Sequence, residues 1–182
     1  MIQHICKLIL KIWGFKITGT VPYAIKKKIY IAMPHTSNWD FLLGILNKGA
    51  LKLDVKYLAK SSLFKSPFAW FFRMTGGIPV DRSKHNNFVQ EVVDVFDKYD
   101  TISIALAPEG TRKKVDKLKS GFYYIAMKAK VPIIFVKFDF GKMEVNYSEP
   151  FMPTGNYEED LVKILDHFKG TKGKNPELGF VQ

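Results

Sequence analysis

His35 and Asp40 are residues whose types and spacing could do chemistry together. A histidine beside a carboxylate is a prepared general base, because the acid fixes the ring tautomer and stabilises the imidazolium. On a regular helix five steps turn by about 500°, about 140° off the starting face, so the two cannot meet within one helix. They can meet if His35 stands in a loop and the chain turns through Thr36 to Asn38 into a helix. The competing reading makes Asp40 a first-turn helix acid and His35 a polar loop residue. The spacing alone leaves both open. No nucleophile accompanies the pair: there is no G-x-S-x-G, Cys6 lies in an N-terminal helix candidate, and Ser37 is placed to cap a helix. A base at His35 would therefore act directly on a substrate hydroxyl, which points to group transfer to an alcohol without a covalent enzyme intermediate.

The elements that must position this pair alternate between strand and helix. The stretch 28–33 (KIYIAM) reads as a strand ending at Pro34, and Ser37 or Asn38 can cap a helix over 39–51. Short strands follow at 55–59 and 78–80, separated by a helical region over 61–74 that is interrupted at Pro67. Phe88, Val92, Val95, Phe96 and Tyr99 share one face of a further helix. Strands over 101–107, 131–138 and 144–147 and helices over 120–130 and 158–167 complete the pattern. Such alternation predicts an α/β fold: a single domain with a mixed, mostly parallel sheet flanked by helices. In sheets of this kind functional groups collect in loops beyond the carboxyl ends of the strands. Residues 34–40, 76–83, 108–112 and the region around 131–136 have that placement.

Composition narrows the partners. The chain has 182 residues, 14% of them aromatic, and a formal net charge of +11. The charge is uneven. Residues 1–80 carry a net +10 and residues 112–130 a net +6, whereas 81–111 and 131–182 are mildly acidic. Two basic zones in an aromatic chain suggest an anionic partner with an apolar part. Nucleic acid, an anionic membrane surface and a phosphorylated lipid all fit that count. A non-catalytic RNA or membrane binder is the reading from another class, but no aromatic RNA-binding signature is present. One cysteine excludes an internal disulfide, and four scattered histidines without H-E-x-x-H argue against a metal site. No apolar run approaches the roughly 20 residues of a spanning helix, and no secretory signal is evident. At the N-terminus Ile2, Ile5, Cys6, Ile9, Ile12 and Trp13 form an apolar stripe opposite Gln3, His4, Lys7 and Lys11, with Gly14 as a stop. That stripe suits either a headgroup layer or the protein's own core.

Four segments in order then resemble one family. Pro34-His35-Thr36-Ser37-Asn38-Trp39-Asp40 resembles the H-x4-D motif of the glycerolipid acyltransferases of the lysophosphatidate acyltransferase type. Gly77-Ile78-Pro79-Val80-Asp81-Arg82 is similar to their second block, Pro108-Glu109-Gly110-Thr111-Arg112 to their P-E-G-T-R block and Val131-Pro132-Ile133-Ile134 to their fourth. The match runs from about residue 27 to about 150, with Pro34 standing where many members have Asn.

The resemblance implies that His35 deprotonates an acceptor hydroxyl, that Asp40 orients it, and that the hydroxyl attacks an acyl thioester. It assigns Arg82, Glu109, Gly110, Thr111 and Arg112 to the phosphorylated acceptor, with Lys60 a basic residue near the site. Arginine and a glycine-bearing turn suit a phosphate physically, whereas Glu109 would rather position an arginine or accept from glycerol. The acceptor expected is a lysophospholipid, most simply lysophosphatidate giving phosphatidate, or another lyso-acceptor bearing a headgroup or amino group. The donor is acyl-CoA or acyl carrier protein as co-substrate, with no cofactor and no metal. Residues 1–20 are expected to be an amphipathic membrane-surface helix, 21–170 the acyltransferase domain and 171–182 a flexible tail. The expected place is the cytoplasmic face of the cell membrane, peripheral or monotopic, against an anionic surface and without nucleic acid.

Overall fold

The computed structural model describes residues 1–80 and 88–180. Its strands are β1 (Lys16–Gly19), β2 (Lys27–Met33), β3 (Val55–Lys60), β4 (Gly77–Val80), β5 (Ile102–Leu106), β6 (Ile133–Asp139) and β7 (Glu144–Tyr147). The α-helices are α1 (Ile2–Trp13), α2 (Trp39–Leu51), α3 (Ala69–Met74), α4 (Phe88–Lys98), α5 (Gly121–Ala129) and α6 (Tyr157–Phe168). One sheet runs in the order β1-β7-β6-β2-β5-β3-β4. Every pairing is parallel except β6 with β7.

The α/β sheet expected from sequence is therefore present, with β2 at its centre. Strands covered on both faces carry apolar residues at nearly every position. In β2, Ile29, Ile31 and Met33 join the core shared with α4, α5 and α6, while Tyr30 joins the one shared with α1 and α2. β6 behaves likewise, with Ile133 and Phe135 on the first face and Ile134, Val136 and Phe138 on the second. Much of the aromatic content sits in these two cores.

Three parts differ from the sequence reading. First, the segment 1–20 is not helix alone: α1 is followed by β1, an edge strand whose Lys16–Gly19 pair with β7. Second, the first half of the helical region over 61–74, before the expected break at Pro67, is 3-10 (Ser61–Lys65) rather than α, and α3 follows the break. Third, the expected loose tail is seated: Phe140 N–H donates to Lys172 O at 2.8 Å, Asn175 bonds Thr36, and Phe180 packs against the core.

Helix α1 divides its apolar residues between two surroundings. Leu10 is buried, and Cys6 and Trp13 pack with it against the face that α2 covers. A Cβ at Gly49 of α2 would lie 2.5 Å from Cys6 Sγ, so only glycine lets the two helices approach this closely. Gly14 ends α1 in the left-handed region at φ 88°, and Phe15 N–H returns to Leu10 O at 2.9 Å. Ile2, Ile5, Leu8, Ile9 and Ile12 remain exposed. The single stripe read from sequence is thus shared between the core and an uncovered surface.

Candidate active site

The carboxyl end of β2 releases the chain through Pro34 into His35. The loop turns through Thr36, Ser37 and Asn38 before α2 begins at Trp39, which puts Asp40 in the first helical turn. This is the turn that lets a histidine and an acid five residues apart meet. His35 Nδ1 stands 3.1 Å from Asp40 Oδ2. The same Oδ2 accepts from Thr36 N–H at 2.7 Å and Ser37 N–H at 2.8 Å. An oxygen already accepting two N–H groups is an acceptor, so Nδ1 must carry the proton and donate to it. The other ring nitrogen, Nε2, is left free to take a proton. Asp40 thus stands in the first turn of a helix and within hydrogen-bond distance of His35. The Asp40 side chain is 1% exposed and that of His35 24%, so the acid is enclosed while the imidazole reaches the surface.

The cap differs in detail from expectation. Asn38 holds the N-cap position without a side-chain cap bond, and Ser37 Oγ accepts from Trp39 N–H at 3.3 Å. The fold-forming work of this loop is done by Asp40, which gathers the N–H groups of Thr36 and Ser37. Sequence reasoning missed those two backbone donors. The signal available for them was the short spacing from Asp40 back to Thr36 and Ser37, an arrangement in which an acid side chain reaches back to preceding N–H groups.

Register brings the second loop to the first. Ile31 of β2 lies opposite Leu106 of β5, so the segment after β5 runs beside the segment after β2. Glu109 is 3% exposed, and its Oε1 accepts from His35 N–H at 2.9 Å. Its Oε2 is buried without a hydrogen-bond partner. Burial pushes the Glu109 carboxyl up from its ordinary range, and the N–H bond from His35 partly opposes this. Glu109 therefore holds the backbone of His35, a contact the sequence reading did not assign to it. Gly110 takes φ +66° and bonds Ala107 O, and a Cβ there would lie 2.9 Å from Lys119 Nζ. Thr111 Oγ1 accepts from Lys113 N–H at 3.3 Å, and Arg112 is exposed on the same loop. The P-E-G-T-R segment thus touches the histidine through Glu109 and carries Arg112 at the surface. Lys60 ends β3, exposed at the same carboxyl end of the parallel strands but separated from β2 by β5. Arg82 lies outside the described residues.

Aromatic groups border the loop. Trp39 is exposed, and its ring centroid lies 5.5 Å from that of Trp13 at the end of α1. Phe15 and Phe140 complete the cluster edge-to-face with Trp13. Among the described residues no group of three or more His, Cys, Asp or Glu gathers in a way that could hold a metal ion.

Comparison with known proteins meets this geometry. A curated acyltransferase of Schizosaccharomyces pombe, itself uncharacterized, is 29% identical over 90% of this chain and 59% of its own length. A 1-acyl-sn-glycerol-3-phosphate acyltransferase of Streptococcus pneumoniae is 29% identical over 81% of this chain and 51% of its own. The chain thus spans little more than half the length of these curated relatives. The crystal structure of the 1-acyl-sn-glycerophosphate acyltransferase PlsC from Thermotoga maritima superposes with a TM-score of 0.59 at 22% identity, over 91% of this chain and 74% of that one. It shares the fold. The acyltransferase family model matches residues 14–138, which include the His35–Asp40 loop and the Pro108–Arg112 segment, and the chain belongs to that family.

Proposed function

We propose that this chain moves a fatty acyl group from an acyl thioester, of CoA or of acyl carrier protein, to the hydroxyl of a lysophospholipid, most simply lysophosphatidate. The observation that carries the reading is the His35–Asp40 contact at 3.1 Å, with Nδ1 committed to Asp40 and Nε2 free. Nε2 takes the acceptor's hydroxyl proton as its oxygen bonds to the thioester carbonyl carbon. The carbon–sulfur bond then breaks, and the departing thiolate takes the proton from the imidazolium. Asp40 stabilises the imidazolium between these two transfers. The naming of the pneumococcal relative supports lysophosphatidate as acceptor. Purified protein, given defined acyl-CoA and acyl carrier protein donors with a panel of lyso-acceptors, tests this by mass spectrometry. A headgroup-bearing or amino-lipid product in place of phosphatidate would move the acceptor and keep the chemistry. No acylated product from any donor would sink the reading.

Arg112, exposed on the loop that carries Glu109, is the group suited to the acceptor's phosphate, because a guanidinium can bind it in bidentate fashion. Arg112→Ala is expected to raise the acceptor KM by about tenfold, the scale of one charge-assisted hydrogen bond. The donor KM and kcat should change little. An acceptor KM equal to that of the parent protein removes Arg112 from the phosphate site.

The exposed residues Ile2, Ile5, Leu8, Ile9 and Ile12, with Lys7 and Lys11 on the same helix, support docking on an anionic membrane surface, placed at the cytoplasmic face of the cell membrane. Among the described residues no helix is long and apolar enough to cross a membrane. Sedimentation with vesicles containing anionic phospholipid should bring down the parent protein, and an Ile9→Glu, Ile12→Glu double variant should stay in solution. Equal sedimentation of the two would place the contact elsewhere.

A further inference from the structure

The hydrogen bonds of Asp40 continue out of the site into the C-terminal segment. The peptide group between Thr36 and Ser37 has two polar ends. Its N–H, on Ser37, donates to Asp40 Oδ2 at 2.8 Å. Its carbonyl, on Thr36, accepts from Asn175 Nδ2 at 3.0 Å. A carbonyl oxygen can only accept, so the amide nitrogen of Asn175 must be the atom facing it. One line of donors and acceptors thus runs from Asn175 through this peptide and Asp40 to His35 Nδ1.

The segment that carries Asn175 is fitted against the loop from several sides. Asn175 N–H donates to Thr36 Oγ1 at 3.2 Å. Thr36 is 2% exposed. Gly173 lies so near that a Cβ would stand 2.5 Å from Thr36 Oγ1 and 3.1 Å from Pro34 Cγ. Lys172 O accepts from Phe140 N–H at 2.8 Å, and Thr171 N–H returns to Phe168 O at the end of α6. These contacts fix residues 171–175 as a strap between α6, the end of β6 and the histidine loop.

We propose that Asn175 is a positioning residue for the His35–Asp40 pair, acting through the Thr36–Ser37 peptide. The inference rests on the reading of His35 as the base of acyl transfer. Donation into the Thr36 carbonyl polarises the peptide and strengthens the Ser37 N–H as a donor to Asp40. It also sets the plane of that peptide, and with it the place of Oδ2 opposite Nδ1. A tail that merely covered the protein would need its backbone contacts but not this amide.

Asn175→Asp is the discriminating variant. It keeps the size and shape of the side chain and the backbone N–H, and it replaces the donor with an acceptor opposite the Thr36 carbonyl. The expected result is a kcat lower by about tenfold, on the scale of one lost hydrogen bond, with both substrate KM values within about twofold of the parent. Thermal melts should show the variant folded. Nitrogen-15 NMR of the histidine rings gives a reading that needs no substrate. The His35 resonances, identified by their loss in His35→Ala, should report mainly the Nδ1–H tautomer in the parent and a mixture in Asn175→Asp. An unchanged kcat, an unchanged tautomer balance, or a loss of activity that only follows the folded fraction would each overturn the proposal. Absence of acyl transfer in the parent protein would instead sink the acyl-transfer reading, and the NMR comparison would still decide whether Asn175 acts on His35.

Discussion

Replacing His35 with alanine is expected to lower acyl transfer by about 10²- to 10⁴-fold, the usual weight of a positioned general base. The fold should survive, because the contact by which His35 ties two loops together is its backbone N–H to Glu109 at 2.9 Å, and alanine keeps that N–H. The lost side chain is 24% exposed, and its polar contact is the one to Asp40. A melting temperature within about 2 °C of the parent is the expected companion result. Thiol release from an acyl donor, followed with a thiol reagent in the presence of lyso-acceptor, measures the first quantity. Normal turnover in this variant would end the mechanism proposed for the site.

Asp40→Asn should have the second-largest effect, with activity falling by about 10³-fold while the loop keeps its shape. The amide oxygen can take the place of Oδ2 and still accept from Thr36, Ser37 and His35 Nδ1. The amide nitrogen then takes the place of Oδ1, which is buried without a hydrogen-bond partner. What disappears is the negative charge that stabilises the imidazolium. Asp40→Ala differs in kind, since it leaves two N–H groups without their acceptor in a buried place. It should destabilise the protein by about 2 kcal/mol or more in addition to losing activity. Steady-state kinetics and denaturant melts on the two variants separate these effects. If Asp40→Asn turned over like the parent, Asp40 would be an acid that shapes the loop before α2 and no more.

The site was legible in the sequence where chemistry is local and obscured where it depends on backbone. His35 and Asp40 sit in one short loop, so a strand-to-helix turn was enough to place them together. Glu109 was singled out, but its role was not readable: its contact is to the main chain of a residue 74 positions away, and a backbone N–H has no letter in the sequence. The same reason hid the strap. Lys, Gly and Asn in residues 170–175 have the composition of a loose tail, yet they are held by carbonyl and N–H groups and by the space that Gly173 leaves. Strand β1 was hidden by its brevity. KITG has four residues, ends in glycine and sends only Ile17 into the core, so no alternation could show. The central strands were plain because burial on both faces demands continuous apolar runs, as in β2 and β6.

The way β1 joins the sheet separates two units that are easily taken for one. The match to the family model ends at residue 138. Strand β1 lies within it, but its sheet neighbour β7, from Glu144 to Tyr147, lies beyond. Thr18 is tied to Asn146 across 128 positions of chain. Helix α6, also beyond that limit, supplies Ile164 and Phe168, both fully buried. A protein cut to residues 14–138 would thus bare the edge of β6, leave β1 without a strand to join and uncover one end of the core. During synthesis β1 likewise waits unpaired until β7 has been made, and closing so long a stretch of chain comes late in folding. The stretch that carries the family's pattern is smaller than the unit that folds.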